Sequence, residues 1–219
     1  MGKASLVLFV ASRPLRVLGL AATDRLRLHL SRVVRREGFC ICTAEYIDDA
    51  EDVVAKVAAA LRLIESTDPR RYRRMHRDIS RILVSDVAFS TYSFVSNTCV
   101  LDLRLVRSKS SGAVAVVLVH EATHARLYHM GIVTWRRIQA RVERACVREQ
   151  IAFARLLGDA GWNGIDRMIG ALEGSLADPW WTEARQFEAR LQRLSDADLP
   201  RWIVRAWAWW YRPTDSGRH

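Results

Sequence analysis

The chain has 219 residues, half of them hydrophobic, which is enough apolar material for the core of one domain. Its formal net charge of +10 comes from 34 Lys and Arg residues, nearly all of them Arg, against 24 Asp and Glu residues. No apolar stretch reaches the roughly 18 uncharged residues that a transmembrane helix needs, so we expect no membrane span.

The four cysteines do not form a recognisable zinc or redox motif. Cys40 and Cys42 are separated by a single residue, whereas both motifs usually require two. We therefore expect free, buried thiols in a reducing compartment. An apolar patch at residues 5–11 is interrupted by Arg13 and Pro14 before it resembles a signal-peptide core, which predicts no export and a cytoplasmic protein.

The first third of the chain is predicted to be helical. Leucines interleaved with arginines indicate one or two amphipathic helices over residues 14–37, ending at Gly38, and a further helix is predicted over 48–64. The basic run at 70–77 is interpreted as the solvated face of a helix. Only Tyr72 in it offers a surface on which a base could stack, so nucleic acid is a less favoured partner.

Residues 82–106 are rich in β-branched and aromatic side chains, which predicts two or three short strands, the last over 99–106. A turn at 108–112 follows it. The next segment, 113–130, has no helix breaker and is followed by Gly131 at a C-cap position, so we expect a buried helix.

A long helix is predicted over 134–157, ending at Gly158, and two more over 182–194 and 198–211. The predicted fold class is α+β and mostly helical. A small antiparallel sheet packs against the helix 113–130 and against the glutamate-bearing helix that follows it.

One domain is expected over residues 1–213. It has an N-terminal helical part at 1–78, a central part with the sheet and two helices at 79–158, and a C-terminal helical part at 159–213. Residues 214–219 are expected to be a disordered tail.

The chemistry is concentrated in residues 120–124, which read His-Glu-Ala-Thr-His. On a helix, the i, i+4 spacing puts His120 and His124 on one face, one turn apart, where two imidazole nitrogens can share one zinc ion. Glu121 then lies beside the metal. It can accept a proton from zinc-activated water and pass it to a leaving group, as a general base and acid.

The run Val117 to Ala125, "VLVHEATHA", resembles the active-site helix of the zincin metallopeptidases. The resemblance covers that helix and its neighbours. It implies a bound Zn²⁺, catalysis by Glu121 and a peptide or protein substrate.

The resemblance also limits the choice of third metal ligand. The metzincin pattern requires Gly and His at positions that Leu127 and Met130 occupy here, so that subgroup is disfavoured. Gluzincins take the third ligand from a glutamate on the next helix, where Glu143 and Glu149 are candidates.

Two arguments separate these glutamates. Eighteen residues lie between His124 and Glu143, a spacing similar to that in several gluzincins. Helical projection instead puts Glu149 near the centre of the inward face and Glu143 on its flank. We predict Glu143 as the ligand, with Glu149 as the alternative or as a residue that holds a histidine Nδ1 proton or an arginine.

By the same resemblance, the strand 99–106 is the candidate edge strand along which an extended substrate would pair. Tyr92, Asn97, Tyr128 and His129 are candidates for stabilising an oxyanion, and the sequence does not rank them.

Two functions are considered for these residues. The first, which the resemblance implies, is a zinc-dependent metallopeptidase. The alternative is a non-catalytic, zinc-stabilised binding module whose Arg-rich surface engages an anionic partner.

Overall fold

A computed structural model describes residues 25–26, 28–132, 136–158 and 164–177, together with the single positions 191 and 205. Its continuously described elements are five strands and six helices, and residues 25–26 and 28–29 are also helical. The strands are β1 (Ser31–Arg36), β2 (Phe39–Ala44), β3 (Arg81–Ser85), β4 (Thr91–Ser93) and β5 (Thr98–Asp102). The helices are α1 (Ala50–Thr67), α2 (Pro69–Asp78), α3 (Leu103–Ser108), α4 (Ser111–His129), α5 (Arg136–Leu157) and α6 (Ile165–Ala177).

The predicted α+β class is confirmed, but the sheet is mixed rather than antiparallel. The strand order is β1-β2-β3-β5-β4, in which β2, β3 and β5 run parallel and the outer strands β1 and β4 run antiparallel to their neighbours. Parallel neighbours need a crossover connection, and between β2 and β3 the helices α1 and α2 supply it.

The one or two helices predicted over 14–37 are confirmed only in part, because residues 25–26 and 28–29 are helical but the strand Ser31–Arg36 occupies the end of that range. Glu37 and Gly38 both have positive φ, 47° and 72°, and form a two-residue hairpin turn that pairs Arg36 with Phe39. A glycine after an apolar pattern favours a helix end and a hairpin turn equally, because both need a left-handed residue. Residues 1–24 and 27 lie outside the described part of the chain.

The helix predicted over 48–64 is confirmed as α1, and the basic run lies on α2. The N-cap Asp68 accepts a hydrogen bond from the backbone N–H of Arg71, and Pro69 occupies the first helical turn. The prediction of a solvated face holds for Arg70, Arg73 and Arg77. It fails for Arg71, which is 9% exposed.

The region 82–106 forms three strands, as predicted, but the last of them is shorter and lies elsewhere in the sheet. β5 ends at Asp102, whose carboxylate accepts from the backbone N–H of Arg104 and so starts α3. β5 also lies between β3 and β4, so the prediction that 99–106 is an edge strand is wrong. The edge beside α4 is formed by β4.

Helices α4 and α5 match the predictions closely. Ser110 caps α4 through the backbone N–H of Ala113, and Gly131, with φ of 79°, follows its end. The described part of α5 ends at Leu157 before Gly158, whose φ is 53°. The helix α6 was not predicted. The helices predicted at 182–194 and 198–211, and the tail at 214–219, lie outside the described residues apart from single positions.

The core lies between the sheet and the helices α1 and α4. Both faces of α4 are buried, because its N-terminal half from Gly112 to Leu118 consists almost entirely of small and β-branched apolar residues. None of the described helices is both long enough and apolar enough to cross a membrane.

Truncating a core side chain of α1 should destabilise the fold. Leu61 is completely buried, so Leu61→Ala should lower the free energy of unfolding by about 2–5 kcal/mol. Leu156 on α5 is 59% exposed, so the matched variant Leu156→Ala should change the free energy of unfolding by less than about 0.5 kcal/mol. Urea denaturation followed by circular dichroism measures both, and equal losses would contradict this assignment of the core.

Candidate metal centre

Helix α4 presents the two histidines of the motif on one face. His120 is 6% exposed and His124 is partly buried, and their Nε2 atoms lie 3.1 Å apart. Their rings meet edge to face with centroids 4.9 Å apart. The i, i+4 spacing therefore produces the convergence of imidazoles that the sequence predicts.

Glu143 of α5 completes a triangle of electron-pair donors with these histidines. Its Oε2 lies 3.5 Å from Nε2 of His120 and 3.4 Å from Nε2 of His124. Ligands at 2.0–2.1 Å from a tetrahedral zinc ion are about 3.3 Å from one another. The three side chains fit a tetrahedral metal ion, and this cluster could hold one.

Burial and charge act in opposite directions on the pKa of Glu143. Burial raises the pKa of this carboxyl, but hydrogen bonds and charge from His120 and His124 outweigh it and lower the pKa to about 2. Glu143 is therefore a carboxylate at neutral pH, the form in which it can coordinate a cation.

Glu121 lies beside this triangle in a different environment. The residue is 5% exposed, and burial raises the pKa of its carboxyl to about 7. The charge of His120 and a hydrogen bond from the backbone N–H of Tyr92 lower that pKa, while the charge of Glu143 raises it. The two buried carboxyl groups thus differ in proton affinity, one suited to holding a cation and the other to exchanging protons.

The orientation of His120 is fixed by Gln150, a residue that the sequence reasoning missed. Nδ1 of His120 lies 3.0 Å from Oε1 of Gln150, and both residues are buried. Because an amide oxygen only accepts, Nδ1 of His120 donates to Gln150, so that Nε2 faces Glu143 and His124 and is the nitrogen that would bind a metal ion after losing its proton. The spacing of the sequence could have identified Gln150, because it follows Glu143 by seven residues and so lies two helical turns further along the same face.

Cys146 also borders the cluster. It is fully buried, and its Sγ, together with one ring nitrogen from each of His120 and His124, forms a group whose atoms all lie within 4.8 Å of one another. Burial, followed by the charges of Glu143 and Glu121, raises the pKa of its thiol. The four cysteines are free thiols, as predicted, although Cys40 is only partly buried.

Glu149 does not reach this cluster. Its carboxylate lies 2.7 Å from Nη2 of Arg71, and its side chain is 49% exposed. The helical projection that put Glu149 in the middle of the inward face is therefore wrong, because the buried face of α5 also includes Val147, Ile151 and Ala154, which lie on the side of Glu143. We expected that the glutamate that is not a metal ligand could hold an arginine, and Glu149 does so by pairing with Arg71.

The oxyanion candidates lie around β4 and the end of α4. Tyr92 donates its hydroxyl proton to Oδ1 of Asn97 over 2.8 Å, and burial raises its pKa to about 12. Nε2 of His129 bonds to the backbone oxygen of Asp78 at 2.9 Å. Tyr128 packs its ring against Tyr92. Tyr92 is the candidate that also touches Glu121, through its backbone N–H.

Comparisons with protein-family models, with curated proteins and with solved structures find no match for this chain. The class of this protein therefore rests on its fold and its side-chain cluster. It is an α+β protein with a candidate metal centre between two packed helices. That centre is formed by His120, His124, Glu143 and the neighbouring Cys146.

Two glutamates on α5 provide a matched test of this centre. Residues that only orient metal ligands typically contribute about 10-fold to 100-fold to metal affinity. Because Glu143 would bind the metal directly, we expect Glu143→Gln to weaken the binding of a divalent metal by at least as much. Glu149→Gln removes the same charge from the same helix and should leave metal affinity unchanged. Titration of the metal-free protein with zinc against a chromophoric chelator measures both, and equal losses would exclude Glu143 as a ligand.

Proposed function

We propose that this chain is a zinc-dependent metallopeptidase of the gluzincin kind, with His120, His124 and Glu143 as metal ligands and Glu121 as general base. The observation that carries the proposal is the triangle of Nε2, Nε2 and Oε2 atoms with sides of 3.1, 3.4 and 3.5 Å, beside a second buried carboxyl. A structural ion pair would not require two histidine nitrogens to face each other so closely.

Each residue has a separate role in the proposed reaction. Zinc, when bound, supplies a Lewis acid that activates water at neutral pH and polarises a carbonyl group. Glu121 accepts the proton of the attacking water and transfers it to the leaving amine nitrogen as the peptide bond breaks. Gln150 keeps His120 in the tautomer that presents Nε2.

The shape of the sheet supports an extended peptide as the substrate. β4 is the outer strand on this side, and the backbone N–H of Tyr92 within it contacts Glu121. A peptide pairing with the outer edge of β4 would run beside the metal centre. In this proposal β4 takes the role that the sequence assigned to residues 99–106.

Glu121→Gln tests the general base. The amide keeps the size of the side chain but cannot accept the proton, so peptide cleavage should fall by at least about 100-fold while the bound metal is retained. Cleavage of a peptide library followed by mass spectrometry, with metal content measured in parallel, gives both quantities. Glu149→Gln serves as the control and should cleave at the wild-type rate. Full activity in Glu121→Gln would overturn the mechanism.

The second candidate function is a zinc-stabilised binding module for an anionic partner. The position of Cys146 favours it, because a thiolate joining His120, His124 and Glu143 would give four protein ligands and close the site. Structural zinc sites are closed in this way, whereas catalytic sites keep one position open for water.

Cobalt substitution separates the two functions without an activity assay. A thiolate bound to Co²⁺ gives an intense near-ultraviolet charge-transfer band, and the peptidase proposal predicts that wild-type protein lacks it, because the fourth position is open. The spectrum of Cys146→Ser should then equal that of the wild type. A band in the wild type that Cys146→Ser abolishes would instead support the closed, non-catalytic site.

A further inference from the structure

A second concave site lies on the other side of the helix pair that carries the metal centre. It is a cavity of about 510 Å³ between α2, α4 and α5, within the size range of sites that bind small molecules. Val119, Thr123 and Arg126 of α4 line it, whereas His120 and His124 face the metal centre. Val119 and His120 are consecutive residues, about 100° apart around a helix, so the two sites occupy different faces of α4.

Arginines dominate the polar lining of this cavity. Arg74 of α2, Arg126 of α4 and Arg148 of α5 each come from a different helix, and Arg71 is the fourth. Within the described part of the chain, the guanidinium groups of Arg74, Arg126 and Arg148 have no acidic or hydrogen-bonding partner. Three cationic groups are therefore gathered around one cavity.

The two carboxylates in the lining do not neutralise these three arginines. Glu149 pairs with Arg71 at 2.7 Å, and Asp78 pairs with Arg77, also at 2.7 Å. Arg71 is further held by Asp68 at 2.9 Å and lies over the ring of Phe153. Both acids thus have a cation of their own, and the remaining charge in the cavity is positive.

Apart from Thr123, whose hydroxyl group donates to the backbone oxygen of Val119, the rest of the lining is apolar. Met75, Val119, Leu127 and Met130 contribute aliphatic and thioether surface, and no aromatic ring is among the described lining residues. Such a surface suits an aliphatic group rather than a nucleobase, which binds preferentially by stacking on rings. The occupant should therefore join an anionic head to a short aliphatic part.

We propose that this cavity binds a small aliphatic phosphate ester, with the phosphate held by Arg74, Arg126 and Arg148 and the aliphatic part against Met75 and Leu127. A phosphate group offers three oxygens and close to two negative charges, which matches three guanidinium groups better than one carboxylate does. The inference is independent of the proposed peptidase activity, because it uses a different face of α4 and none of the candidate metal ligands.

Calorimetric titration of the full chain with hexyl phosphate tests this site. We expect saturable binding of about one equivalent that weakens as salt is raised, since the contacts are ionic. Inorganic phosphate lacks the aliphatic part and 1-hexanol lacks the charge, so each should bind at least about 10-fold more weakly than hexyl phosphate. Absence of binding by hexyl phosphate, or equal binding by 1-hexanol, would overturn the proposal.

Single substitutions localise the site. Arg126→Gln and Arg148→Gln should each weaken the binding of hexyl phosphate by at least about 10-fold, because each removes a charged hydrogen-bond donor. Arg73→Gln removes an exposed arginine of α2 that does not line the cavity and should leave binding unchanged. Equal losses in all three variants would indicate general charge attraction and contradict a defined site. Zinc content and circular dichroism, unchanged in each variant, confirm that the fold is intact.

Discussion

The contact between α4 and α5 is the interaction on which the candidate centre depends. Glu143 is 8% exposed and His120 6%, so each is removed from water and must find its polar partners inside the protein. They find them in each other, in His124 and in Gln150, at distances between 3.0 and 3.5 Å. Separation of the two helices would leave buried charge without compensation, so the polar cluster and the helix packing stabilise each other.

The same helix pair forms two different environments. On α5, Glu143, Cys146 and Gln150 face the metal centre, whereas Arg148 and Glu149 line the arginine-rich cavity. Gln150 directly follows Glu149, yet the first orients a histidine and the second pairs with Arg71 on α2. A one-residue step along a helix is enough to separate the two sites, because it rotates the side chain by about 100°.

If the chain is a peptidase, as we propose, the sheet determines where an extended substrate would pair. Because β5 pairs on both sides, with β3 and with β4, its backbone groups are occupied and it cannot accept another strand. The outer position belongs to β4, a strand of three residues whose middle residue, Tyr92, contacts Glu121 through its backbone N–H. A short edge strand beside a buried carboxyl gives limited but well-placed pairing for an extended chain.

Several features follow from local sequence alone. The helices α1 and α5 follow from long periodic patterns, whereas α4 follows from a long apolar stretch without a helix breaker. A glycine comes after the last turn of both α4 and α5, and the i, i+4 spacing brings His120 and His124 together on any helix. These properties depend on neighbours within a few residues, which a single sequence records directly. The α+β class follows in the same way, from the change of composition after residue 81.

Other features were decided by contacts between distant parts of the chain. The sequence offered Glu143 and Glu149 on the same helix. The packing of α5 against α4 brings Glu143 to His120, whereas an ion pair with Arg71 of α2 holds Glu149 outside the cluster. The glycine at 38 likewise favoured a helix end and a hairpin turn equally. The pairing of Ser31–Arg36 with Phe39–Ala44 selects the turn, because strand pairing is a tertiary contact that local periodicity does not encode.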